Sequence, residues 1–458
     1  MSEPAMPDVD TESNLARFAQ AAVERLQRVD PELFEILENE YRRQANVLSM
    51  VASSSLADPA ALICEASTAM NVTAEGYPGR RFHAGCRHID EIEQLAIDRA
   101  KRVFGAQFAN VQPMTATCAN EVVMFAVMKP GDTLMGMELD SGGHLTHGSK
   151  ASISGQVFNA VGYGLDKNER INFDQAWELA RKYKPKLIIC GTTAYAREID
   201  WAPFREMADE IGAYVLADIT HIAGLVAAGV HPSPIDHAHF TTTCTHKQLY
   251  GGRGGLILMG RDADAPGPNG KGTLSGLIQK KVFPFFQGAP NQSSIAAKAR
   301  AFEFIGSDEF RGIAERIVAL SRALAKAFVD KGYRVITGGS DNHIVVVDVF
   351  EKGISGVNAE KALEDCGIVV NKNRIPFDKN PPSVTSGIRL GTNGMAIREM
   401  EPADMVTCVN VMHEILTGIE QQDLTTYTVP ADTRARAEAA VAELCQRRPI
   451  TTYPPALD

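Results

Sequence analysis

A chain of 458 residues is too long for one small core and fits two domains. Its 45% hydrophobic and 22% charged residues are the balance of an ordinary water-soluble globular protein. A net charge of −10 argues against nucleic acid or an acidic membrane surface as a partner, although a local site can still be positive enough for an anionic cofactor.

In chain order, the first dozen residues of MSEPAMPDVDTESN are polar and acidic and read as a disordered tail. They lack a basic segment followed by an apolar run, so no signal peptide is expected; no later stretch approaches the length of a membrane span. From Asn14 to about Tyr41, apolar residues recur at helical spacing (Leu15, Phe18, Ala22, Leu26, then Leu33, Ile36 and Leu37), interrupted at Pro31. Residues 1–45 are therefore expected to be a tail and a two-helix arm, packed either on a partner subunit or as a cap on the same chain.

Strand-like runs follow at residues 133–137, 187–190, 214–217, 240–244 and 256–259, with helical patterns at 173–183 and 204–211. That alternation predicts an α/β fold, a mostly parallel sheet with helices on both faces, over a large domain of residues 46–305. Active sites in such sheets lie at the carboxyl ends of the strands. RDADAPGPNGK, residues 261–271, reads as a surface loop. After a long helical pattern at 295–331 come the short strands YRVI and HIVVVDVF, a helix near 358–364, GIVVN and SGIRL, and a last helix over 402–416. These predict a smaller α+β C-terminal domain, residues 306–458. The eight cysteines are scattered without a C-x-x-C pair, which suits reduced thiols in a cytoplasmic protein.

Two strand ends carry the chemistry: Asp218-Ile-Thr-His221 on one, Thr245-His246-Lys247 on a later one. A lysine of lowered pKa can form a Schiff base with an aldehyde cofactor. A carboxylate facing a pyridine nitrogen keeps it protonated, so that the ring accepts electrons. Either motif alone also fits a helix cap or a solvated lysine. The Gly251–Gly255 run, GGRGG, resembles an RNA-binding tract, but its place between Lys247 and an apolar strand reads as a tight turn.

AEGYPGRR (74–81), QLAIDRAKRVFGA (94–106), ANVQP (109–113), GGHLTHG (142–148), AGLVAAGVHPSP (223–234), THKQLYGGRGGLIL (245–258) and VTSGIRLGT (384–392) appear in the order and spacing of serine hydroxymethyltransferases. Over residues 46–418 the chain resembles that family. The resemblance implies a fold-type I, aminotransferase-like enzyme dependent on pyridoxal phosphate (PLP). It implies that Lys247 carries the cofactor, Asp218 pairs with the pyridine nitrogen, His221 contacts the ring oxygen and His144 stacks on the ring. Thr115, Ala116 and Thr117 would hold the phosphate, with Thr193, His246 and Gly288 also at the cofactor. Arg389 and Ser53 would bind the substrate carboxylate, and Glu75 would move protons at the hydroxymethyl group. No metal is implied. Homodimers or homotetramers with shared active sites are.

The departures cluster at the active site. The family's Y-x-E-G-Y-P-G-x-R-Y-Y-G-G reads Thr73-Ala74-Glu75-Gly76-Tyr77-Pro78-Gly79-Arg80-Arg81-Phe82-His83-Ala84-Gly85 here. Tyrosine has become Thr73, and a later tyrosine pair has become Phe82 and His83. Removing a ring beside Cα leaves space for an α-methyl group, so Thr73 and His83 point to the 2-methylserine and D-alanine branch. The family's P-N-D reads Pro376-Phe377-Asp378, and F-P-G-G-Q-G-G-P reads Phe283-Pro284-Phe285-Phe286-Gln287-Gly288-Ala289-Pro290. Phe377 cannot make the hydrogen bonds of an asparagine to a pterin, which leaves tetrahydrofolate open as cosubstrate. The expectation is thus a hydroxymethyltransferase or aldolase acting on 2-methylserine and D-alanine. Its alternatives are ordinary serine–glycine exchange with tetrahydrofolate, a threonine aldolase or transaldolase, and a non-catalytic PLP- or RNA-binding relative.

Overall fold

The computed structural model of the chain describes residues 13–268 and 270–456; the expected tail lies outside the described residues. The arm is two helices, α1 (Asn14–Val29) and α2 (Pro31–Asn46). Ser13 and Asp30 cap them by accepting from Ala16 N and Leu33 N, and Pro31 starts the second where its missing N–H costs nothing. Neither helix buries a residue within the chain, and Leu15, Phe18, Val23, Val29, Leu33, Ile36 and Leu37 stay exposed. The end of α2 is tied down. The buried Arg398 donates to the carbonyls of Gln44, Ala45 and Val47, and Tyr41 stacks on Tyr453.

The main sheet has seven strands: β1 (Phe108–Asn110), β2 (Thr133–Met137), β3 (Asn159–Tyr163), β4 (Leu187–Gly191), β5 (Tyr214–Asp218), β6 (Phe240–Cys244) and β7 (Gly255–Met259). Their spatial order is β1-β7-β6-β5-β4-β2-β3. The pairs from β6 to β3 are parallel, and β7 runs antiparallel to both β6 and β1. Residues 187–191, 240–244 and 255–259 are buried throughout, as strands covered on both faces must be. The two strands that the sequence pattern leaves out, β1 and β3, are the two edges. β3 contains Asn and Gly and is only partly buried, and β1 is three residues ending on a buried Asn110, so neither carries a continuous apolar run.

A second, four-stranded antiparallel sheet follows: β8 (Arg334–Val335), β9 (Ile344–Asp348), β10 (Asn371–Asn373) and β11 (Gly387–Gly391), in the order β8-β9-β11-β10. Two expectations need correction here. The pattern at 295–331 is two helices, Gln292–Ile305 and Asp308–Asp330, because Ser307 accepts from Phe310 N and restarts the helix after Gly306. The helix Pro402–Gly418 is not the last; Ala431–Arg447 follows it. Its buried stripe is Thr433, Ala437, Val441, Leu444 and Cys445, mostly small side chains that give a weak apolar signal.

GIVVN is split. Ile368–Val369 pairs in parallel with Leu48–Ser49, and Gly391 N donates to Met50 O at 2.7 Å. These bonds draw the segment that carries Ala52 and Ser53 against the second sheet. Among the described residues no helix is long and apolar enough to cross a membrane. The eight cysteines are free thiols.

Candidate active site

The carboxyl ends of β4, β5 and β6 open on one cavity of about 230 Å³. Its lining includes Thr115, Ala116, Thr117, His144, Thr193, Asp218, His221, His246 and Lys247, so one chain gathers most of the predicted cofactor residues. Asp218 ends β5. Its Oδ2 accepts from Asn120 Nδ2 at 2.8 Å and lies 3.2 Å from His147 Nε2; Oδ1 accepts from Thr220 N at 3.0 Å. Burial raises its pKa, but the hydrogen bond and charge of His147, the charge of His144 and the Thr220 bond outweigh that, and the carboxyl is held well below its ordinary range. A buried, ionised carboxylate therefore faces the cavity.

Lys247 is partly buried three residues beyond β6, with Nζ 3.1 Å from His221 Nε2. Burial lowers its pKa, opposed by Cys244 and Asp218 and reinforced by Arg389 and Arg253. A lowered lysine pKa frees the lone pair that carbonyl addition needs. His144 reaches the cavity from the segment after β2. There Gly142 has φ +98, a backbone that L side chains rarely adopt. Thr193 locks this turn: its N donates to Gly142 O at 2.7 Å and its Oγ1 to Gly143 O at 3.0 Å. His144 Nδ1 is held by Thr146, 2.8 Å to Oγ1, and burial brings its pKa down to about 4. A neutral ring can stack on a flat cofactor without placing a second positive charge beside a protonated pyridine.

The helix Ala116–Val127 begins at the cavity with Thr115 as its cap, Oγ1 accepting from Cys118 N at 3.0 Å. Its first turn offers backbone N–H groups to an anion. Lys298 fixes the approach to it: fully buried, it donates to Val111 O, Pro113 O and Gly255 O at 2.6, 3.1 and 2.9 Å. Arg389 on β11 donates from Nη1 to Thr193 O and from Nε to Asn371 Oδ1, beside the cavity. Burial takes its pKa down to about 10, so it remains a cation at neutral pH. Ser53 lines an adjoining cavity with His246 and Arg253.

Thr73, Glu75, His83 and Gly288 stand elsewhere in the chain, and none of them lines the Lys247 cavity. Glu75 precedes a short hairpin, Gly76–Tyr77 with Arg80–Arg81. His83 Nε2 lies 3.5 Å from Glu75 Oε2, and a Cβ on Gly288 would sit 3.1 Å from Glu75 Oε1. Thr73 and His83 are exposed, as are Phe82 and Phe377, and Phe82 packs on Phe283 at 5.5 Å. Below them Arg81 clamps the loop, donating to Ala74 O and Gly76 O and pairing with Asp90 and the buried Glu93. Gln112 joins Glu93 to Gly76 O. The Glu75 loop is thus rigidly mounted although its carboxylate is open.

The cavity residues fit PLP. Thr220 Oγ1 and His246 Nδ1, both in the lining, are buried without hydrogen-bond partners, as expected of a site built for a polar group. A lysine, an ionised carboxylate and a helix N-terminus meet there, one for each of the aldehyde, pyridine nitrogen and phosphate. His144, His147 and Asp218 also bring ligand-type atoms within 4.8 Å of one another, but His144 Nδ1, His147 Nε2 and both carboxylate oxygens are already engaged by protein groups.

Several residues that build this site gave no sequence signal. Asn120 binds Asp218 from mid-helix, His147 stands inside GGHLTHG with no role of its own in the motif, and Lys298 lies in an ordinary helical run. A family model described as serine hydroxymethyltransferase matches residues 26–412, well over half of the chain.

Proposed function

Because this chain belongs to the serine hydroxymethyltransferase family, we propose that it makes and breaks the Cα–CH₂OH bond of 2-methylserine, with D-alanine as the other amino acid. Membership makes it a PLP-dependent hydroxymethyltransferase of serine-type amino acids. The observation that carries the finer substrate reading is Thr73 where the family has tyrosine, on the same mounted loop as Glu75 and His83. Threonine leaves room beside Cα for a methyl group where a phenol ring would fill it.

Bound PLP supplies a sink for the electron pair released at Cα. Lys247 attaches the cofactor through its Nζ. Asp218 keeps the ring nitrogen protonated, and Asn120, His147 and the Thr220 N–H hold that carboxylate in place. His144 covers the ring face, His221 donates toward the ring oxygen, and Thr115, Ala116 and Thr117 hold the phosphate at the helix start. Thr193 braces His144 and, with His246 and Gly288, completes the cofactor shell. Arg389 grips the substrate carboxylate with Ser53 beside it. Glu75 moves the proton at the hydroxymethyl oxygen as the Cα–Cβ bond breaks or forms.

Glu75, Thr73 and His83 are open to solvent in a single chain, and so is the apolar stripe of α1 and α2. Both features support a homodimer or homotetramer in which the Glu75 cluster of one subunit closes the Lys247 cavity of the next, with the helical arm packed across the seam. The exposed Phe377 supplies no polar group for a pterin edge, and each hydrogen bond forgone is worth about 0.5–1.5 kcal/mol. This favours turnover with free formaldehyde over tetrahydrofolate.

Thr73→Tyr tests the donor site. Refilling the space should lower kcat/KM for D-alanine relative to glycine by about 5- to 150-fold, the effect of overpacking by about 1–3 kcal/mol. A ratio unchanged from the wild type would remove Thr73 as the basis of the assignment.

A further inference from the structure

His221 does not face Lys247 unaided. While its Nε2 lies 3.1 Å from Lys247 Nζ, its Nδ1 lies 3.5 Å from Nε2 of His343, the two rings inclined by only 15°. His343 is completely buried and comes from the second sheet, one residue before β9. Its Nε2 is also 3.2 Å from the carbonyl oxygen of Ala52. That oxygen accepts from Asn393 Nδ2 as well, and Asn393 Oδ1 accepts from Gln248, the residue after Lys247.

The hydrogens can be placed by elimination. A carbonyl only accepts, so the hydrogen between His343 and Ala52 must sit on His343 Nε2. A hydrogen on His221 Nδ1 would then point at another N–H, so Nδ1 is bare and shares the hydrogen of His343 Nε2. A neutral imidazole carries one hydrogen, which leaves that of His221 on Nε2, facing Lys247. Burial, together with the charges of Lys247 and Arg389, keeps both rings neutral: His221 is driven well below the usual histidine range and His343 down to about 3.

We infer that His343 is a positioning residue that fixes His221 as the Nε2–H tautomer, making it a donor to the ring oxygen of the cofactor held there and to Lys247 Nζ only when that nitrogen carries a lone pair, as a neutral amine. The inference deepens the functional reading and rests on Lys247 being the cofactor lysine. It also means that the second sheet sets the donor at the cofactor, because His343, Asn393 and the Ala52 carbonyl move with that sheet's contacts.

Neutron diffraction from the holoenzyme tests it directly. Deuterium is expected on Nε2 of both His343 and His221 and absent from His221 Nδ1. Deuterium on His221 Nδ1, or a bare His343 Nε2, overturns the inference. Cofactor on a different lysine overturns the functional reading instead, and the same map separates the two. His343→Gln and His343→Phe supply a second test. Glutamine keeps an N–H donor near the Nε2 position and should hold PLP within about twofold of the wild type with an unchanged visible absorption maximum. Phenylalanine removes the donor and should weaken PLP retention roughly fivefold, one net hydrogen bond, with a shifted maximum. Equal behaviour of the two variants would mean that His343 only fills space. If the phenylalanine variant fails to fold, the glutamine variant and the neutron map still decide.

Discussion

Lys247→Ala is expected to lower turnover by roughly 10³-fold or more, the loss usual for a nucleophile that works as a unit with its neighbours. Lys247 is the one lysine in the cavity lining, and its Nζ stands 3.1 Å from His221 while Asp218, Thr220 and the start of the Ala116–Val127 helix complete the same wall. Alanine removes that amine without disturbing the bonds that hold Asp218 or His144. The variant should therefore fold, still bind PLP through its phosphate and ring, and lose the visible absorption of a lysine-linked cofactor. Borohydride reduction of the wild type followed by peptide mass mapping should place the cofactor mass on the peptide containing Lys247. Label on another lysine, or turnover surviving in Lys247→Ala, would refute the assignment.

Asp218→Asn is expected to lower kcat by about 10²- to 10⁴-fold, the range measured when a charged partner of a catalytic ring is made neutral or a proton-handling group is lost. The carboxylate is held ionised by His147, His144 and Thr220, so it can stabilise a protonated pyridine nitrogen at any physiological pH. Asparagine keeps the shape but loses the charge, and its amide N–H₂ competes with Asn120 and His147, both of which now present N–H groups to Oδ2. The control is Asn120→Ala, which takes one hydrogen bond from the carboxylate and leaves its charge. A structural role would make the two variants alike; an electronic role predicts that Asn120→Ala loses about tenfold or less, the value of one ordinary net hydrogen bond of about 0.5–1.5 kcal/mol. Steady-state kinetics on both, with circular dichroism to check the fold, distinguishes these outcomes.

The sequence made the central strands and both chemical strand ends legible, because β2, β4, β5, β6 and β7 are buried on both faces and keep compact apolar runs with little polar interruption. Edge strands β1 and β3 escaped for different reasons: β3 is only partly buried and contains Asn and Gly, whereas β1 is only three residues long and ends on a buried Asn110. The helix Ala431–Arg447 escaped because alanine, threonine and cysteine make a seam of low hydrophobicity. Gly306 and Ser307 look unremarkable inside a helical period, yet the Ser307 cap splits one expected helix into two.

Site residues divide in a similar way. Lys247, Asp218, His221, His144 and Arg389 stand in long family-like motifs at element ends, where a polar residue after an apolar run is conspicuous. Asn120, Lys298 and His343 are inside elements or at strand starts, and what they do depends on carbonyls and side chains 43 to 291 positions away in the chain. No local pattern encodes such a partner. Thr73, Glu75, His83 and Gly288 were all readable from one motif or loop, but a single chain leaves them outside the Lys247 cavity; the homo-oligomer proposed above would bring them to it.

The most direct test of the 2-methylserine assignment is the visible spectrum of the purified holoenzyme mixed with D-alanine or with glycine, each with and without tetrahydrofolate. A new long-wavelength band with D-alanine, present without folate, is expected, because it reports loss of the hydrogen from a Cα that bears a methyl group. A band with glycine alone, or one that needs tetrahydrofolate, would contradict the assignment and return the enzyme to ordinary serine–glycine exchange.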